Sequence, residues 1–268
     1  MLYKLVYFIF KLFPSTKQFF WKKWYTIFAN KVSNHDLKFM NYGYSSPGLD
    51  LTLTSEDEKD RFPIQLYHHV TSQIDLKGLK VLEVGSGRGG GCNYITKYLK
   101  PAQMVGIDIS PSAINLSNSI YDFDNLTFSQ GNAEALPFDD NTFDAVINVE
   151  SSHCYTSMGK FISEVSRVLK PNAHLLFCDL RRDIYINEML SDINTNGLSL
   201  ISHTDISSNI ITATTAMSDD RQTSINKLKA GWFKNILESF AAVKGSKVHQ
   251  SFTDGYLQYI SAICINKG

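Results

Sequence analysis

What this 268-residue chain lacks narrows the field first. Its four cysteines, Cys92, Cys154, Cys178 and Cys264, are scattered with no C-x-x-C pair. That excludes a disulfide framework and the usual zinc spacings, so no metal site is expected and a reducing cytosol is the natural compartment. Net charge is missing as well, with 26 basic residues against 26 acidic ones. There is no internal repeat and no nucleic-acid motif. Near the start, Lys4, Lys11 and Pro14 break every apolar run before it reaches the roughly 20 residues of a membrane span, and no small-residue cleavage site follows to make a secretory signal. A chain of this length suits one large α/β domain with appended pieces.

What is present centres on residues 80 to 91, Lys-Val-Leu-Glu-Val-Gly-Ser-Gly-Arg-Gly-Gly-Gly. A short β-type run ends in an acid and breaks into a glycine-rich turn, with Gly90 to Lys100 reading as the helix behind it. Glycines at Gly85 and Gly87 let the backbone bend sharply and approach a ligand without Cβ atoms in the way. By spacing alone Gly85, Gly87 and Gly90 also fit the dinucleotide pattern G-x-G-x-x-G. The acid separates the two readings. Glu83, two residues before Gly85, would repel a pyrophosphate but would meet a cationic, polar ligand tail. A nicotinamide oxidoreductase is further disfavoured because no Tyr-x-x-x-Lys pair follows the fourth strand. The next apolar run, Met104 to Ile107, ends in Asp108, placed to take both ribose hydroxyls.

Alternation continues through Leu126-Thr127-Phe128, Gly131-Asn132-Ala133-Glu134, Phe143 to Val149, and Val168-Leu169-Lys170-Pro171 leading into His174 to Asp179. Strands alternating with helical segments predict parallel βαβ units and a doubly wound sheet. Ser110-Pro111-Ser112 predicts a helix start, with a hydroxyl cap and a proline in the first turn.

The ordered series over residues 80 to 180 resembles the class I S-adenosylmethionine-dependent methyltransferases. The resemblance implies a seven-stranded, mostly parallel Rossmann-like sheet with an antiparallel last strand, and S-adenosylmethionine as cofactor. It also implies site residues. Gly85 and Gly87 would pass under the methionine part, Asp108 would hold the ribose, Asn132 and Ala133 would meet the adenine edge, and the carbonyl at Asn148 would face the ammonium. Ser86, Ile109, Glu134 and Val149 complete the expected cofactor contacts. Family members often carry Asp where this chain has Asn132, so the adenine amino contact there would be neutral and weaker. Upstream, Phe39-Met40-Asn41-Tyr42-Gly43-Tyr44 is similar to segments that close over the cofactor in small-molecule methyltransferases. Tyr42 or Tyr44 would bond the methionine carboxylate, with Gln65 beside it. His68 and His69 point about 100° apart on a helix, so at most one faces the site.

Chemistry is expected in Asn148 to Tyr155, directly after the fourth strand at the sheet edge that faces ligands. An alcohol attacking a sulfonium methyl must lose its proton, and a neutral imidazole suits that task. His153 is the candidate base. Asp179, at the end of the fifth strand, would fix the ring tautomer and stabilise the imidazolium. The pair predicts a kcat/KM that rises with pH through an apparent pKa near ~6.5. Val149 to Tyr155, Leu136 to Asp140 and Cys178 to Arg181 resemble the mycobacterial phthiotriol/phenolphthiocerol dimycocerosate methyltransferases, which O-methylate a long-chain lipid. The His and Asp positions also look like those of sugar O-methyltransferases. The reading is an O-methyltransferase for a lipid, polyketide or other hydrophobic small molecule. Its alternatives are N- or C-methylation in the same fold, an oxidoreductase, or a non-catalytic membrane-associated module.

Residues 1 to 40 carry seven lysines against one acid, and the first 28 residues hold eleven aromatics. Two readings fit this segment: an interfacial helix on an anionic membrane, with lysines snorkelling, or a helical cap packed over the cofactor mouth. The first adds peripheral contact with the inner membrane face to a cytoplasmic enzyme. Four regions are expected: a helical cap over 1–75, a cofactor core over 76–180, an insertion and helix over 181–240, and a strand pair over 241–268. Ile225, Leu228, Trp232, Ile236 and Leu237 lie at helical spacing, and Val243 to Val248 reads as the first strand of the final hairpin.

Overall fold

The computed structural model describes residues 37–227 and 234–268. The reading of residues 1 to 28 as cap or membrane helix lies outside the described residues, as do Leu228 and Trp232 of the expected helix.

Seven strands form one sheet: β1 (Lys80–Val84), β2 (Gln103–Asp108), β3 (Leu126–Gln130), β4 (Phe143–Val149), β5 (Leu169–Arg182), β6 (Leu198–Asp205) and β7 (Leu257–Asn266). Their order is β3-β2-β1-β4-β5-β7-β6. Strands β3, β2, β1, β4 and β5 pair in parallel, whereas β7 runs antiparallel between β5 and β6. This is the mostly parallel seven-stranded sheet that the sequence predicts. Four of the five residues in β1 are buried, as expected for a parallel strand covered on both faces. Alternate residues serve opposite faces. Val81, Met104, Ile147 and Leu176 enter one apolar cluster, and Leu82, Val105, Val146 and Leu175 enter the other.

Helices cover both faces: α1 (Arg61–Thr71), α2 (Gly90–Tyr94, continued by a π-helical turn over Ile95–Leu99), α3 (Pro111–Ile120), α4 (Met158–Val168), α5 (Ile186–Thr195), α6 (Ser207–Ala216), α7 (Ser218–Lys227), α8 (Lys234–Phe240) and α9 (Lys247–Thr253). Local chemistry sets their starts. Ser110 caps α3 by accepting the Ala113 N–H at 3.4 Å with Pro111 in the first turn. Ser157 caps α4, which buries Phe161, Ile162, Val165 and Val168 on one stripe.

Two expectations need correction. Residues 181 to 220, expected as an insertion or lid, contain α5, the edge strand β6 and α6, so part of this stretch belongs to the sheet itself. Only the first residue of β6, Leu198, is buried, and residues 201–205 are exposed. A strand with one wet face and one free edge has little apolar pattern to betray it. Nor does Val243 to Val248 form a strand. It is a turn leading into α9, capped by Ser246 accepting the His249 N–H at 3.3 Å. The partner that β7 finds is β6, about fifty residues upstream.

Candidate active site

In an open α/β sheet, ligands bind at the carboxyl edge where the strand order reverses. Here the reversal falls between β1 and β4, and a cavity of about 480 Å³ opens there.

One end of the cavity is built mainly by backbone. Gly85 sits at φ +78°, where a side chain is strained, and a Cβ would overlap Ser151. The N–H groups of Gly85 and Ser86 both donate to Ile107 O, at 2.8 and 2.9 Å, which ties the turn to β2. At Gly87 an added Cβ would lie 2.9 Å from Met40 Cε. Asp108 accepts the Gly87 N–H at 2.9 Å on Oδ2 and the Ser110 N–H at 2.8 Å on Oδ1. Each oxygen keeps a further lone pair, as two vicinal hydroxyls require. Burial raises the Asp108 carboxyl, and the bonds from Ser110, Gly87 and Ile109 oppose it. Ile109, Asn132 and Ala133 continue the wall, Asn132 folding into a tight turn by accepting the Glu134 N–H at 3.0 Å.

The other end is built by side chains. His153 stands on a 3-10 turn after β4, and its Nδ1 lies 2.8 Å from Asp179 Oδ1. Asp179 is fully buried behind it and accepts further bonds from Ser152 Oγ at 2.5 Å and the His153 N–H at 2.8 Å. Arg181 Nη1 lies 3.1 Å away. Burial works against the Asp179 charge, but His153, Arg181 and Ser152 outweigh it and hold the carboxyl well below the usual range. Around His153, burial pulls the imidazolium down, yet the Cys154 sulfur and the Asp179 carboxylate push it up to about 10. Both neighbours act against the burial penalty, and the Asp179 carboxylate does so as an ionised partner of the ring. An ordinary histidine midpoint near ~6.5 is therefore corrected upward. Tyr42, Leu180 and Val248 add apolar surface to the cavity wall.

The structure thus brings Tyr42, Gly85, Ser86, Gly87, Asp108, Ile109, Asn132, Ala133, Val149 and His153 to one cavity, with Asp179 bracing His153. Five expected cofactor residues are not in its wall. Tyr44 stacks on His69, with ring centroids 4.5 Å apart. Gln65 is buried and donates to Leu49 O at 3.1 Å. Glu134 points to the start of α4, where it accepts from the Thr156 and Ser157 N–H groups. Asn148 is buried and donates to Val84 O at 2.9 Å, Ser151 Oγ at 2.8 Å and Tyr155 Oη at 3.0 Å, so it ties β4 to β1. Glu83 is turned into the protein, where Tyr67 Oη at 2.6 Å and Cys92 Sγ at 2.9 Å occupy its two oxygens. Neither His68 nor His69 reaches the wall.

Sequence reasoning gave no role in the site to three charged residues of the wall, Lys38, Arg88 and Glu150. Arg88 is buried and donates to Leu37 O at 3.2 Å. Glu150 lies in the segment singled out for chemistry, but nothing in its neighbours announces that it takes φ +50°.

A family model described as a methyltransferase domain matches residues 75–252. The phthiotriol/phenolphthiotriol dimycocerosates methyltransferase of Mycobacterium leprae is 33% identical over 89% of each chain. The chain belongs to the S-adenosylmethionine-dependent methyltransferases. A fatty-acid O-methyltransferase of Mycolicibacterium smegmatis is 33% identical, with 82% of this chain and 81% of that one covered. Among solved structures, a geranyl diphosphate C-methyltransferase of Streptomyces coelicolor bound to S-adenosylhomocysteine superposes with TM-score 0.69 at 18% identity, covering 93% of this chain and 97% of that one. The cyclase SpnF gives TM-score 0.70 at 18% identity over 89% and 93%. Since a cyclase shares the fold, the fold alone does not set the reaction.

The cofactor of this methyltransferase is S-adenosylmethionine, and the cavity fits it. Ser86 Oγ is a buried polar atom with no protein partner, set in the glycine turn. Gly85 and Gly87 bring their backbone to the cavity wall, as a methionine tail would need, and the Asp108 oxygens suit a ribose. Among the described residues no helix is long and apolar enough to cross a membrane.

Proposed function

We propose that this methyltransferase transfers the methyl group to a hydroxyl of a lipid or similarly hydrophobic acceptor. The observation that carries the reading is the His153–Asp179 pair at the cavity, whose wall also carries the apolar side chains of Leu180 and Val248 and the ring of Tyr42. The cofactor, when bound, supplies a methyl group on a sulfonium. The protein must then hold the acceptor oxygen in line and receive its proton. Asp179 on Nδ1 favours the tautomer whose lone pair is on Nε2, and it stabilises the imidazolium that forms. The relatives named for dimycocerosates and for fatty acids support a long-chain acceptor. Seven lysines in residues 1 to 40 and eleven aromatics in residues 1 to 28 support delivery from an anionic membrane surface.

The test is incubation of the full chain with labelled S-adenosylmethionine and hexadecan-2-ol in anionic or neutral vesicles, with products identified by mass spectrometry. A methyl ether is expected, formed faster on anionic vesicles, and deletion of residues 1 to 28 should remove that difference. Label appearing only on amine or carbon acceptors would replace O-methylation by the N- or C-methyl reading.

A further inference from the structure

Glu150 is an acidic group of the cavity wall that the reading above leaves without a task. It ends β4 in the left-handed region at φ +50°, a strained place for a residue with a Cβ. Its backbone N–H donates to Cys178 O at 2.8 Å and so fixes the turn to β5. The side chain is held as firmly. Oε2 accepts the Tyr42 N–H at 2.9 Å and the Tyr259 hydroxyl at 2.7 Å. Arg221 grips the same peptide from the other side, donating to the carbonyls of Asn41 and Tyr42 at 3.1 and 3.4 Å. The carboxylate therefore cannot swing away unless the segment around Tyr42 opens.

Both bonds fall on Oε2. Oε1 is not among the buried polar atoms that lack a partner, and the side chain lines the cavity, so Oε1 is the edge presented to a ligand. Charge balance around this end is uneven. The Asp179 carboxylate meets His153 and Arg181 directly, whereas the two bonds to Glu150 come from neutral donors, with the Arg221 guanidinium and the His153 imidazolium as neighbouring cations that do not bond to it. Burial pushes the Glu150 carboxyl up to about 7, opposed by the bonds from Tyr259 and the Tyr42 N–H and by the nearby His153 charge. It thus remains partly ionised at neutral pH and is a strong hydrogen-bond acceptor.

We propose that Glu150 selects the acceptor, with Oε1 taking the hydrogen bond of a neutral hydroxyl and repelling a fatty-acid carboxylate. The inference rests on the O-methylation reading. A carboxylate acceptor would place two like charges in one buried space, so one of them must gain a proton before it can bind. A hydroxyl satisfies the carboxylate with no such cost, and a site built around that bond penalises ligands that lack the donor.

The experiment compares hexadecan-2-ol with palmitate at pH about 8.5, where the Glu150 carboxyl is ionised, each in the same detergent with labelled S-adenosylmethionine. Wild-type kcat/KM for the alcohol should exceed that for palmitate by at least about tenfold. Glu150→Gln keeps an oxygen for Tyr42 and Tyr259 but loses the charge. It should lower kcat/KM for the alcohol by about tenfold or more, raise that for palmitate, and tighten palmitate binding to the cofactor-free protein at least about tenfold by calorimetry. Affinity for S-adenosylhomocysteine should stay within about threefold. A larger loss there would place Glu150 with the donor and overturn the proposal. An unchanged alcohol-to-palmitate ratio in Glu150→Gln, or a wild type that prefers palmitate, overturns it too while O-methylation stands. Label only on amines or carbon removes the parent reading and this one together. If the Gln variant does not fold, Glu150→Asp keeps the charge and draws it back by one methylene. It should still refuse palmitate while working poorly on the alcohol, and ready use of palmitate by it would overturn the proposal.

Discussion

The two ends of the cavity are made in different ways. The donor end draws on residues between Gly85 and Ala133, and most of what they offer is backbone: a turn with three positive-φ glycines, N–H groups tied to β2, and one strand-end carboxylate held by two N–H donors. The acceptor end takes Tyr42 from before the sheet, Glu150 and His153 from beyond β4, Leu180 from β5 and Val248 from α9, and it works through side chains. A site of the first kind is fixed by local geometry and changes only with the fold. A site of the second kind can be rebuilt one residue at a time, as a methyltransferase fold that accepts different nucleophiles requires.

That comparison breaks most sharply at His153. His153→Ala should cut kcat by about 10²-fold or more while affinity for S-adenosylhomocysteine stays within about threefold, because the imidazole serves the acceptor and not the donor. Joint loss of binding and rate would merge the two ends into one. The pH profile sharpens the test. With the imidazolium stabilised by its neighbours, the neutral form is scarce at neutral pH, and kcat/KM should rise from neutral pH toward about 10. Asp179→Asn removes the fixed negative charge, so the rise should move to lower pH even though the rate falls by roughly tenfold from the wrong tautomer. A profile that levels off near ~6.5 in the wild type would show that Asp179 does not govern the ring.

The same division explains what was legible in the sequence. Strand ends and glycine spacing announced β1, β2, their turn and Asp108, because a backbone that must bend or approach a ligand restricts which residues are allowed. Sequence order could not show which way a strand-end side chain turns. Glu83 stands where a ligand-facing group was expected, yet in a parallel strand covered on both faces the side chain can turn away from the edge, as the Asn148 side chain also does. Tyr67 with Cys92 and Ser151 with Tyr155 supply partners there. Glu150, beyond the end of β4, faces the cavity because its backbone reverses at φ +50°. β6 was missed for a related reason, since an edge strand with exposed residues over 201–205 has no apolar alternation to read.

The next effect in size belongs to the donor end. Asp108→Ala removes the acceptor for the Gly87 and Ser110 N–H groups as well as the proposed ribose contact, so it should weaken S-adenosylmethionine by roughly 1.5 to 3 kcal/mol, the range for charge-assisted bonds. Among saturated enzyme molecules kcat should fall little. Calorimetry reads the first and saturating kinetics the second. Unchanged affinity would remove Asp108 from the donor end.

Glu83 should give the smallest functional effect and the clearest thermodynamic one. Burial pushes its carboxyl up to about 7, with the Cys92 and Tyr67 bonds opposing. The folded protein therefore holds this proton at pH values where the unfolded chain, with a carboxyl near ~4.3, has released it. Between those two values the native state binds more protons, so stability falls as pH rises and levels off above the folded pKa. The total loss from this one buried group is roughly 3 kcal/mol. Glu83→Gln cannot ionise, so it should flatten that part of the curve of melting temperature against pH. Glu150, raised in the same way, leaves a residual slope. Because Glu83 lies outside the cavity wall, the variant should bind S-adenosylhomocysteine within about threefold of wild type. A large loss of affinity at constant stability would return Glu83 to the role that its place at the end of β1 first suggested. A wild-type melting curve with no fall between pH about 5 and 7 would show that its burial does not set its charge.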